Sequence, residues 1–203
     1  MDNEKLDALV GAVAERLFVP VEASGRHVHL TWEQARTLFG HDLTPHRPLS
    51  QPGQFLARER VKVTGPAGVF DNVAVLGPAR REAHVEISLT DGKMLGLRPP
   101  VKQSGDVTHS PGCTLEGPMG RVVLERGVIA ARRHIHLTPE DAGQLGVTDG
   151  QTVKLQVFTD RPVIFGDTVV RIDPNFRRAA HLDYDEANAC HFQKGDLGMI
   201  LHG

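Results

Sequence analysis

Disulfide bonds cannot be the framework of this chain. It has two cysteines, Cys113 and Cys190, too few for the cross-linked scaffold of a small secreted domain. A reducing compartment is the simpler setting, so the expected localisation is cytoplasmic. Aromatic residues are also scarce, at 5% with one Trp and one Tyr, whereas Gly numbers 21 and Pro 13. That balance points to many turns in a mostly β architecture rather than a large aromatic-filled core. The formal net charge is only −2, so no global field invites nucleic acid or an anionic membrane surface. A phosphate-bearing ligand must then be held by a local basic site. No apolar run approaches the length needed to span a bilayer.

What is present is ordinary globular composition, 40% hydrophobic and 24% charged over 203 residues, enough for one large domain or two small ones. The opening segment "MDNEKLDALVGAVAERLF" has no basic leading region and no small-residue cleavage site, and is not expected to be a secretory signal. Leu6, Leu9, Val10, Val13 and Leu17 recur at helical spacing, with Asp2 or Asn3 as N-cap. A helix docked on the body is the favoured reading, and a detachable targeting helix the alternative.

Further along, "TWEQARTLFG" reads as a short helix capped by Thr31 and ended by Gly40. "RVKVTGPAGVFDNVAVLGP" reads as a hairpin turning at "GPAG", and "HVEISL" as another strand. Residues 91–120 carry so many turn signals that they are expected to be the least regular part. From Arg121 the same order begins again. "GRHVHLT" returns as "RRHIHLT", the Thr138-Pro139 start of a helix follows, and an Asp149-Gly150 turn leads to a strand. "ARREAHVEIS" returns as "FRRAAHLDYD". An internal repeat of this extent implies two related β-rich units.

On a strand, residues i and i+2 share a face. His27 and His29 therefore project together, as do His134 and His136. Paired imidazoles suit a first-row metal, most often zinc. One H-x-H is weak evidence; two at equivalent points of a repeat outweigh the alternative of half-buried histidines merely packing. The candidates to complete the ligand sets are His84 and Glu86 in the first unit and His181 and Asp183 in the second. Aligning the repeats by residue type matches His84 with His181 and Glu86 with Asp183. His41, His46, His109, His191 and His202 are expected at the surface. Arg80, Arg81, Arg177 and Arg178 lie just upstream, and a guanidinium fork matches phosphate or carboxylate. Arg80 shares even numbering with Glu86, hence one face if the strand is continuous.

These motifs resemble the PduL-type phosphotransacylases (phosphate propanoyltransferases) of bacterial microcompartments. The resemblance is carried by "RHVHLT", "LSQPGQF", "LGPARREAHVEISLTD", "PGCTLEGPMG", "ARRHIHLTPEDAGQLGV" and "HLDYDEANA", which span nearly the whole chain. It implies two small β-barrels capped by short helices. The divisions are an N-terminal amphipathic helix at 1–18, a central barrel at 26–131, and a second barrel built from 19–25 with 132–203. The segment Val19 to Ser24 would cross over to complete that second barrel. It implies two zinc ions between the barrels, held by His27, His29, Glu86, His134, His136 and His181, with Arg80 binding phosphate. Relatives mostly carry a neutral residue where His84 stands, so His84 is expected behind the ligands or at the surface.

The implied reaction is acyl-CoA plus phosphate giving acyl phosphate plus coenzyme A, with propionyl or acetyl as the acyl group. Acyl-CoA and inorganic phosphate would be the small partners. Microcompartment shell or cargo proteins, or a second copy of the chain, would be the large ones, and the setting the cytoplasm or a microcompartment within it. No covalent acyl-enzyme is required, so neither Cys113 nor Cys190 is expected to be a nucleophile; both suit small buried positions. Two rival readings use the same residues: a metal-dependent hydrolase that activates water, and a barrel module with no chemistry, since fold alone does not decide.

Overall fold

The run Thr152–Phe158 buries Val153, Leu155 and Val157 and turns the residues between them outward. That period of two makes a strand with one face in a core, and the same rule organises most of the protein. In the computed structural model, residues 2–201 are described. Met1, His202 and Gly203, and the side chains of Asn3, Glu4, Ala8, Leu9, Ala12 and Glu15, lie outside the described residues. The expectations for Asn3, Leu9 and His202 fall there. With 42% strand and 19% helix the protein is mostly β.

Two compact units divide it. One contains the residues up to Ser24, then Arg133–Leu182 and the residues from Glu186 on. Its six strands close into a barrel in the order Phe18–Ser24, Ala179–Asp183, His134–Leu137, Val163–Ile172, Thr152–Phe158, Leu197–Leu201. Phe18 pairs with Met199, so a strand from near the start of the chain is a stave of a barrel otherwise built from its last third. Val19, Ile135, Leu137, Leu155, Val170 and Leu182 fill the interior.

The other unit comprises Gly25–Arg132 with Asp183–Asp185. It is a curled nine-stranded sheet with short helices. Its centre runs Val128–Ala131, His84–Glu86, His27–His29, Val69–Gly77, Phe55–Thr64. Val28, Leu30, Leu38, Val75, Val85 and Leu115 form its core.

The short helices start and stop where local chemistry dictates. Thr31 and Thr138 both form capping boxes, with Gln34 and Asp141, which satisfy backbone N–H groups that a helix start leaves open. Helices Trp32–Phe39 and Pro139–Leu145 end on Gly40 and Gly146 in the left-handed region, where a side chain is strained. A third short helix, Leu89–Leu95, opens the irregular stretch expected at 91–120, which otherwise holds only the short strands Val101–Lys102 and Cys113–Glu116, and it cuts the expected "HVEISL" strand to His84–Glu86. Its signal was present: the Ser88 hydroxyl accepts from Asp91 N–H, and Gly96 closes the helix in the left-handed region.

Helix Asn3–Leu17 forms, with Asp2 at its N-cap but no side-chain capping bond. Leu6, Val10, Val13 and Leu17 are all exposed. These four side chains leave much of the apolar stripe uncovered, while the helix itself lies beside helix Pro139–Leu145 and strand Phe18–Ser24 of the same unit. Among the described residues, no helix is long and apolar enough to cross a membrane.

Candidate metal centres and anion site

The strand His27–His29 presents two imidazoles with ring centroids 5.0 Å apart. Strand His84–Glu86 lies antiparallel beside it and sets Glu86 opposite His27 and His84 opposite His29. One donor atom from each of His27, His29 and Glu86 falls within 4.8 Å of the others, and all three residues are buried. His27 Nδ1 is 2.8 Å from the Gly25 carbonyl oxygen. Donation there fixes the tautomer and leaves Nε2 as a lone-pair donor, 3.5 Å from Glu86 Oε2. His29 Nδ1 is buried with no hydrogen-bond partner among the described residues.

Burial, followed by the fields of His27 and Arg80, holds His29 well below the ordinary histidine range. For Glu86 burial opposes ionisation, yet the neighbouring imidazoles, His27 first, outweigh it and hold the carboxyl well below its usual value. Neutral imidazole and ionised carboxylate are the forms that bind metal.

In the barrel, His134 and His136 stand 4.6 Å apart by ring centroid, and His181 is 4.9 Å from His134 and 4.8 Å from His136. Their donor atoms also converge within 4.8 Å. Both ring nitrogens of His136 are buried without a hydrogen-bond partner among the described residues. Burial, then His134 and His181, push its pKa down to about 2. A polar ring buried with neither nitrogen satisfied is costly, and a cation at the three-donor cluster relieves that cost. Nitrogen and carboxylate donors in threes suit zinc and similar ions. Phe176 lies over His136 at 4.0 Å between centroids, and the Arg171 guanidinium lies 5.6 Å from the other ring of that stack, Phe176.

The pairing corrects the alignment made by residue type. His134 faces His181 and His136 faces Ala179, whereas His27 faces Glu86 and His29 faces His84. The partner of Glu86 in the repeat is thus His181, and that of His84 is Ala179. Asp183 is displaced from the position once matched to Glu86 and is not in either three-donor group.

Arg80 sits before, not on, the short His84–Glu86 strand, so the same-face argument from numbering fails. Its guanidinium nonetheless reaches the cluster: Nη1 donates to Ser104 Oγ at 3.1 Å and lies 3.5 Å from His84 Nε2. Ser104 was not anticipated; its only sequence signal is the polar turn "QSGD". His84 is 1% exposed, which removes the surface reading. Arg178 is committed to Asp141, where its Nε donates at 2.8 Å, while Arg81 and Arg177 are exposed. His41, His46, His109 and His191 are exposed as well. Cys113 and Cys190 are both free and buried, and burial pushes the Cys113 thiol up to about 12, which leaves no thiolate to attack at neutral pH.

The class these features define is an enzyme with candidate metal centres on β-strands and a guanidinium beside one of them. The family model for phosphate propanoyltransferase matches residues 20–193. The chain is 50% identical over 200 residues to the phosphate propanoyltransferase of Leptotrichia buccalis, covering 98% of this chain and 94% of that protein. It is 48% identical over 207 residues to that of Listeria monocytogenes, covering 99% and 97%, and 50% identical over 184 residues to that of Thermotoga maritima, covering 89% and 88%. The chain belongs to the phosphate propanoyltransferase family, a family of acyltransferases.

Proposed function

We propose that this protein transfers a short acyl group, propionyl or acetyl, between coenzyme A and inorganic phosphate. The observation that carries this reading is the pair of three-donor clusters, His27–His29–Glu86 and His134–His136–His181, in a chain of this family. Each cluster would hold one zinc ion, with both ions serving one reaction. When bound, zinc supplies Lewis acidity for the charge that develops on the thioester oxygen and the leaving sulfur.

The remaining work falls to the protein. Arg80 holds phosphate by a fork of N–H donors and presents one oxygen to the thioester carbonyl carbon. A C–O bond forms, the C–S bond breaks, and coenzyme A departs as thiolate. The Gly25 carbonyl keeps His27 in one tautomer. The closed surroundings of His29 and Glu86 exclude water, which would otherwise compete with phosphate for the acyl group. By the same reading the enzyme works in the cytoplasm, within a bacterial microcompartment and among its shell and cargo proteins, with a second copy of the chain as a further partner.

The test is thiol release from propionyl-CoA and acetyl-CoA, with acyl phosphate trapped as hydroxamate and zinc measured on the same sample. Phosphate-dependent acyl phosphate is the expected product. Free acid formed without phosphate marks a hydrolase instead, and no turnover with no bound metal marks a module without chemistry.

A further inference from the structure

The repeated motif is R-H-x-H rather than H-x-H, and the reaction described above gives its arginines, Arg26 and Arg133, no task. Their surroundings are alike. Arg26 Nε donates to Asp91 Oδ2 at 3.2 Å and Nη2 to Oδ1 at 2.9 Å, and its guanidinium lies 4.0 Å from the centroid of the Phe70 ring. Arg133 Nη1 donates to Glu186 Oε1 at 2.6 Å and Nε to the Gly166 carbonyl at 2.7 Å, with its guanidinium 5.9 Å from the Phe165 ring centroid. Each set lies within one unit. One offset of 95 residues carries Phe70 to Phe165, Glu86 to His181 and Asp91 to Glu186. The clamp therefore belongs to the repeat, in the register that strand pairing sets, although the acid differs. An exposed ion pair would carry little weight, but the Asp91 side chain is 6% exposed and that of Glu186 17%.

The strands that carry the ligands are short. His27–His29 meets His84–Glu86 over three residue pairs, and His27 with Glu86 is the end pair. His134 with His181 is likewise an end pair. Such ends are where a ladder opens most readily. Each arginine stands immediately before the histidine of that pair, and each acid is the third residue of the helix that follows the opposite strand. The ion pair thus ties the two strands together beyond their last rung, where a charged hydrogen bond resists their parting. Arg26 also follows Gly25, whose carbonyl oxygen orients the His27 ring.

We propose that Arg26 and Arg133 are positioning residues, each clamping the end of one ligand-bearing strand pair so that its three donors stay convergent on a metal. This rests on the function proposed above, which places a metal in both clusters. The test compares wild type, R26A, R26K and R133A as full chains, with the melting temperature of the metal-free protein as the control for folding. Zinc affinity is read by competition with a chromophoric chelator, and site geometry by the absorption bands of the cobalt(II)-loaded protein. Each alanine variant is expected to bind one of the two ions roughly 10-fold more weakly, the low end of what a lost supporting contact costs a metal site. The other ion is expected to keep its wild-type affinity, and the cobalt bands of the weakened site alone to shift. R26K keeps a charge beside Asp91 without the fork and is expected to fall between wild type and R26A.

Wild-type affinity for both ions in R26A and R133A overturns the proposal. So does equal weakening of both ions in either variant, which marks a general loosening of the fold. Should R26A not fold, because Asp91 is left buried and unpaired, R26M/D91N removes both charges and carries the same comparison. Wild type that takes up no zinc overturns the function itself, and the two failures are thereby distinguished.

Discussion

Arg80→Ala isolates what the guanidinium contributes. The substitution is structurally mild: the Arg80 backbone N–H donates to the Leu30 carbonyl at 2.8 Å, a bond alanine also makes, and the side chain is only partly buried. The Ser104 hydroxyl that accepts from Nη1 is left to water rather than sealed unsatisfied. What disappears is a charge-assisted contact to phosphate, worth about 1.5–3 kcal/mol for hydrogen bonds of this kind. By transition-state arithmetic that is a fall of roughly 10- to 150-fold in kcat/KM for phosphate. Arg80→Lys keeps the charge but not the planar fork and should fall between the two. The assay is the initial rate of thiol release against phosphate concentration at fixed propionyl-CoA, with zinc content and melting temperature as controls. An unchanged phosphate dependence refutes the reasoning and moves the anion to another cation, the exposed Arg81 first.

Elemental analysis of the purified protein should find about two zinc-class ions per chain, as two-metal acyl chemistry needs, and His136→Ala should remove one of them; activity that survives complete chelation would sink this. Metal-stripped protein should lose stability as pH falls below the ordinary histidine value of 6.5, because unfolded His29 and His136 take up protons that the folded forms refuse; the slope is about 1.4 kcal/mol per pH unit for each histidine. Glu86, held ionised in the folded state, adds to the loss below its ordinary value near 4.5. Denaturation midpoints that stay level from pH 7 to pH 5 would contradict both histidine assignments. Deleting residues 2–16 should leave a soluble, active protein with an unchanged melting temperature, since Leu6, Val10, Val13 and Leu17 are exposed; aggregation would give the helix the role of a cap.

The two H-x-H strands were legible because alternation on a strand is a local rule, and it holds for His27 and His29 as for His134 and His136. Capped helices were legible for the same reason at Thr31 and Thr138. The repeat's register was not. Side chains alternate with period two, so a slip of two residues moves His181 to the place of Glu86 while every residue keeps its face. Hydrophobic patterning is blind to such a slip, and matching histidine to histidine then chooses the wrong one. Arg80 was found despite a faulty reason: what brings it to His84 is a bend in the chain before the strand, and bends leave no periodic trace. The exposure of the N-terminal stripe was equally hidden, because an amphipathic pattern shows that a helix has an apolar face and not what covers it.

The stave Phe18–Ser24 also sets an order of events during synthesis. Its partner strand Leu197–Leu201 emerges from the ribosome roughly 10–40 s later at 5–20 residues per second. Until then Val19 and Val21, which end buried in the barrel, lack the strand that closes it. The intervening Gly25–Arg132 unit, nearly all of it one continuous stretch, can meanwhile fold first and shorten the loop that barrel closure must span. Barrel closure is thus the last step, and a nascent chain stalled before residue 197 would hold a finished central unit with an open, aggregation-prone strand at its front.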